Sequence, residues 1–172
     1  MNGIAVALAV VAALLAVALA LVLAARRPPR RRPVRRGGRR ILVPFSGSLD
    51  QSVLDAAIRI ARAEEAVLVP AYLLIVPLRY GEESPARDQV KMAMPLLEAV
   101  EHAALRAGVP VDARIEKGRT LTHAVKRLWE AEDFDRIVAP APAAGREGFN
   151  AKELAWLLTN APTETLVLKP AA

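Results

Sequence analysis

Residues 4–25, IAVALAVVAALLAVALALVLAA, are 22 consecutive Ala, Val, Leu and Ile residues, and this run divides the chain into parts that cannot share one core. As a helix it would be about 33 Å long at 1.5 Å per residue, enough to cross a hydrocarbon layer of roughly 30 Å. It carries no polar stripe, so it does not read as a helix laid against a soluble core. A secretory signal would put positive charge before the apolar stretch, whereas here MNG has none and the basic residues follow. The expectation is an uncleaved transmembrane anchor over residues 1–25.

Residues 26–40, RRPPRRRPVRRGGRR, hold nine arginines and no acid. Such arginines keep a flanking segment on the cytoplasmic side. The chain is therefore expected in the cell membrane as a single-pass protein, with its N-terminus outside and its body in the cytoplasm. Like charges and several prolines predict an extended tether. Beyond setting topology, Arg26–Arg40 are positioned to meet anionic lipid headgroups, each worth up to about 1 kcal/mol close to the surface.

The sequence pI near 10.3 belongs to this leader. Of the 24 basic residues nine lie before residue 41, which leaves 15 in the body against 18 acidic ones. The body is mildly acidic, and no nucleic-acid partner is expected. Absence of cysteine removes disulfides, thiolate metal ligands and thiol nucleophiles.

From residue 41 strand-like and helix-like periods alternate, which predicts βαβ units and a mostly parallel sheet in a domain over 41–170. ILVPF (41–45) is a strand covered on both faces. Ser48 is placed to cap the helix that buries Val53, Leu54, Ala57, Ile58 and Ala61, with Gln51 as its capping-box partner. AVLVPAYLLIV (66–76) is a second strand in which Pro70 predicts a bulge or an interrupted edge. A helix over 86–107 ends at Gly108, and VPVDARIE (109–116) reads as the third strand. Thr120 or Thr122 starts the next helix. Residues 135–140, 150–160 and 163–170 complete the pattern as strand, helix and strand.

The body resembles the universal stress protein family over nearly all of 40–170. The likeness is carried by RRILVPFSGSLDQSVLDAAIRIARAEEA, LEAVEHAALRAGVPVDARIEKGR, AVKRLWEAEDFDRIVAP and NAPTETLVLKP, in that order and spacing. It implies an α/β fold with one parallel five-stranded sheet in the order 3-2-1-4-5 and helices on both faces. A ligand crevice would then open beyond the carboxyl ends of strands 1 and 4, with Pro44 to Ser48 opposite Ala139 to Phe149. The resemblance also implies a homodimer through the exposed edge of strand five, 163–168.

Members that bind ATP carry an Asp after the first strand and a glycine-rich loop, because glycine lets backbone N–H groups approach phosphate. Here the Asp position is Ser46. The loop's first two glycines fall near Pro140 and Ala143, and its Gly-Ser pair falls near Ala151 and Lys152. Pro140 and Pro142 have no N–H to offer. What remains is Gly145 and Gly148, readable as turn residues, with Arg146 and Lys152, readable as solvated side chains or as an anion contact at a helix N-terminus. The candidate crevice residues are thus Pro44, Ser46, Pro140, Gly145, Arg146, Gly148 and Lys152, with no cofactor expected and ATP as the alternative.

Other chemistry is weakly represented. His102 and His123 lack metal-ligand spacing. Ser46-Gly47-Ser48 lacks a nucleophile elbow and a placed base. Glu130, Glu132, Asp133 and Asp135 read as a solvent-facing acidic cluster. The expectation is a non-catalytic membrane-tethered binding module with an unidentified protein or small-molecule partner. The alternative is an ATP-binding sensor in which Arg146 and Lys152 replace the lost donors.

Overall fold

A continuous apolar run puts β1 (Arg40–Phe45) at the centre of a sheet, because its side chains are buried in both directions. The computed structural model describes residues 38–81, 87–142 and 148–169, all within one compact unit. After β1 follow α1 (Gln51–Ala63), β2 (Val67–Ile75), α2 (Arg87–Arg106), β3 (Arg114–Gly118), α3 (Leu121–Ala131), β4 (Arg136–Pro140), α4 (Ala151–Asn160) and β5 (Glu164–Leu168). The five strands form one parallel sheet in the order β3-β2-β1-β4-β5, the order the family resemblance implies. The proposed anchor and nearly all of the linker, with Gly145 and Arg146, lie outside the described residues. Among the described residues no helix is long and apolar enough to cross a membrane.

Strand periodicity sorts the core into two faces. Leu42, Val69, Leu73 and Ile137 point to one side, where α3 and α4 cover them with Leu121, Val125, Leu128, Leu154 and Leu157. Ile41, Val43, Leu68 and Val138 point to the other side, against Val53, Leu54, Ala57, Ile58 and Ala61 of α1 and Val100 and Ala104 of α2. The buried stripe of α1 is the one its spacing predicts. Its cap is different: Asp50, not Ser48, accepts from the Ser52 N–H. The carboxylate two residues further on lies next to the first turn, and Ser48 is exposed.

Proline nitrogens decide where the ladders stop. In a parallel strand the N–H and C=O of one residue face the same neighbour, alternating along the chain. Arg40 O accepts from Asp135 N, so Arg40, Leu42 and Pro44 face β4. Ala141 N donates to Leu168 O, so Pro140 faces β1. Extending the β1–β4 ladder beyond Leu42–Ile137 would take an N–H on Pro44 and another on Pro140, and neither has one. The ladder holds only the pairs Ile41–Arg136 and Leu42–Ile137, whereas β1–β2 pairing runs from Arg40–Val67 to Phe45–Tyr72.

Pro70 obeys the same rule and corrects an expectation. It lies in an inner strand, with no edge on either side, and the interruption is in its partner. Leu68 bridges Val111, and the ladder resumes only at Ala71–Arg114. Leu68 N donates to Pro110 O and Asp112 N to Leu68 O, so Pro70 also faces β3, in the interval where pairing lapses. This lapse moves the third strand from the expected 109–116 to Arg114–Gly118.

The amino ends of the strands are locked by charge. Arg40, read from sequence as the last residue of a solvated linker, is only 6% exposed. Its Nη2 reaches Asp112 Oδ2 at 2.7 Å and Glu132 Oε2 at 2.9 Å, and its backbone N donates to Asp135 Oδ2 at 2.8 Å. Arg114 joins Asp112 at 2.7 Å. Glu132 is therefore a partly buried partner of β1 and not a member of a solvated acidic patch, and Asp135, exposed as expected, also fastens β1 through the Arg40 N–H. A buried arginine with two carboxylates satisfies the charges that burial would otherwise penalise.

Candidate binding crevice

At the opposite end of the sheet, where β1 and β4 lose their hydrogen bonds, the carboxyl ends of the strands surround a cavity of about 730 Å³. Ser46 enters it from the end of β1, Leu73 and Ile75 from β2, Met92 from α2, and Arg119 and Leu121 from the β3–α3 junction. Gly148, Asn150 and Glu153 enter from the start of α4. Tyr72 also lines it and packs edge-on against Phe45, with ring centroids 5.5 Å apart.

Of the residues singled out in the sequence, Ser46 and Gly148 line this cavity. Gly148 has φ of 146°, a backbone region that side chains with a Cβ rarely enter. Pro44 is buried within β1 and Pro140 closes β4, and both act through the missing ladder described above. Lys152 is exposed on the first turn of α4 and does not line the cavity.

Sequence reasoning missed Arg119, Thr120, Gln89, Met92, Asn150 and Glu153, all of which line the cavity. Arg119 is a fastening. Its Nη1 donates to the carbonyls of Val76 at 3.1 Å, Pro77 at 2.8 Å and Tyr80 at 2.9 Å, holding the loop after β2.

Both helices whose N-termini open here are capped from within. On α3, Thr120 Oγ1 accepts from His123 N at 3.1 Å, and His123 Nδ1 accepts from Arg119 N at 3.3 Å. On α4, Asn150 Oδ1 accepts from Glu153 N at 2.9 Å while Glu153 Oε2 accepts from Asn150 N at 3.0 Å, a reciprocal capping box. The spacing of NAKE carried that signal. A helix N-terminus at a topological switch point is ordinarily suited to an anion. Here two of its donors are taken, and a carboxylate already occupies the positive end. Among the described residues no group of three His, Cys, Asp or Glu side chains could hold a metal ion.

No family model matches the chain, and no curated protein matches it. Solved structures do. A universal stress protein in complex with cAMP aligns with a TM-score of 0.62 at 20% identity, over 79% of this chain and 100% of the other. The fold is that of the universal stress proteins. Universal stress protein UspA from Lactobacillus plantarum aligns with a TM-score of 0.58 at 21% identity, over 76% of this chain and 97% of its own. A universal stress protein family protein from Arabidopsis thaliana with AMP bound gives 0.54 at 17% identity, over 78% of this chain and 93% of the other. At these identities the likeness to universal stress proteins is one of fold, so what the crevice holds is argued from its own residues.

Proposed function

We propose that this chain is a membrane-tethered, cytoplasmic binding module built on the universal stress protein fold, non-catalytic, whose crevice does not hold ATP in that family's usual manner. The observation that carries this reading is the capping box of α4. It puts the Glu153 carboxylate where an incoming phosphate would need donors. Pro140 at the end of β4 and Pro142 in the loop after it add two positions without an N–H. The ligand is then a protein segment or a small molecule bound without phosphate contacts.

The cAMP and AMP complexes of the structural neighbours favour a second reading. In it the chain is an ATP-responsive sensor, with Arg146 and Lys152 standing in for backbone donors. The two readings separate on the nucleotide content of freshly purified full-length protein. The first predicts no adenine nucleotide released on denaturation. Release approaching one equivalent per chain would favour the second.

The tether rests on residues 4–25 and the arginines that follow. Full-length protein is expected to sediment with membranes and to stay there in high salt, with its body protected from protease added outside intact cells. Recovery in the soluble fraction would end the tether, and digestion from outside would reverse its orientation. Self-association through β5 belongs to the same proposal. The strand is an edge of the sheet, and an edge presents unpaired backbone groups to a twofold mate.

A further inference from the structure

We propose that Glu153 is a charge filter: it lets the crevice admit uncharged or cationic ring compounds and turns away their phosphorylated forms. This rests on reading the crevice as a ligand site, and it adds the class of ligand. The cavity, at about 730 Å³, suits a compound of nucleoside size. Its apolar surface comes from Tyr72, Leu73, Ile75, Met92 and Leu121, with Ser46 and Gln89 as hydrogen-bonding groups. That combination favours a flat ring bearing a few polar atoms.

Two observations bear on the charge that an entering group meets at the α4 end of the cavity. Glu153 cannot swing aside without giving up its bond to Asn150 N, so its charge is held in place at the start of α4. Among the described lining residues the only cation is Arg119, which keeps its charge but is held at the loop after β2, where its Nη1 is committed to three carbonyls and is not offered to a ligand. Lys152 is exposed and outside the lining. An anionic group about 6–12 Å from the carboxylate would lose roughly ten- to a hundredfold in affinity at an effective permittivity near 20.

Adenosine and AMP, one ring system without and with a phosphate, are suitable probes. They would be titrated calorimetrically into the full chain in mild detergent, for the natural sequence and for Glu153→Gln. Glutamine keeps an acceptor oxygen for Asn150 N, so the cap survives while the charge goes. An unaltered melting temperature would verify this. The natural sequence is expected to bind adenosine at least about tenfold more tightly than AMP, with the ratio shrinking as salt rises. Glu153→Gln is expected to improve AMP about tenfold relative to adenosine. The same ratio in both forms, or binding of neither probe, would overturn the filter while leaving the non-ATP reading standing. Tight AMP and ATP binding by the natural sequence would overturn both.

Discussion

Replacing Arg40 with methionine is expected to lower the stability of the domain by about 2–3 kcal/mol, because Asp112 and Glu132 would keep their partial burial and lose the more buried of the two cations they share, leaving Arg114 alone. The melting temperature of the full chain in mild detergent should fall by roughly 10 °C. Lys126→Ala is the contrast. Its pair with Glu130 is 3.7 Å long and exposed on both sides, and its loss should cost under about 0.5 kcal/mol. The same cluster gives a pH signature. Burial alone would raise the Asp112 carboxyl, but the Arg40 hydrogen bond and the charges of Arg114 and Arg40 hold it below the ordinary 3.8. A group lowered on folding contributes stability above its unfolded value and loses it as pH falls through the folded one. The natural chain should therefore lose stability below about pH 3.8, and Arg40→Met should reduce that part of the acid loss, leaving the share that Arg114 maintains. Equal melting temperatures for Arg40→Met and Lys126→Ala would show that the buried cluster does not hold the amino ends of the sheet.

The second large effect is expected at Gly118. A Cβ added there would lie 2.7 Å from the backbone N of Ala124 and 2.9 Å from its Cα, so α3 itself would have to move. Gly118→Ala should cost about 1–3 kcal/mol or more, since the clash is with a helix backbone that no rotamer change relieves. It should also disturb the crevice, because Gly118 O accepts from Val76 N and the next residue is Arg119. Gly81→Ala meets nothing within 4 Å and should leave stability within about 0.5 kcal/mol. Denaturant melts of the two variants side by side test this, and equal losses would contradict the close approach of β3 to α3.

The difference between Gly118 and Gly81 shows what could and could not be read from the sequence. The order of strands and helices along the chain and the buried stripe of α1 follow from local periodicity, which depends on neighbours three or four residues away, whereas the strand order in the sheet comes from the family resemblance. The Asp50 cap, the shift of β3 and the role of Arg40 depend on register. Pro44, Pro70 and Pro140 are plainly donorless in the sequence. Only the alternation fixed by Asp135 and Ala141 shows that Pro44 and Pro140 remove the two bonds that would close the same gap. The crevice was legible as a place, through Ser46 and Gly148. Its lining was not, because Gln89, Met92, Arg119 and Glu153 come from segments brought together only by the sheet.

The most direct test of the central claim, that the crevice does not hold ATP through phosphate contacts, is the melting temperature of the full chain in mild detergent as magnesium and ATP are raised to millimolar concentration. The account predicts a shift under about 1 °C. A ligand at a hundred times its dissociation constant contributes about 2.7 kcal/mol, so a saturable rise of several degrees would contradict it.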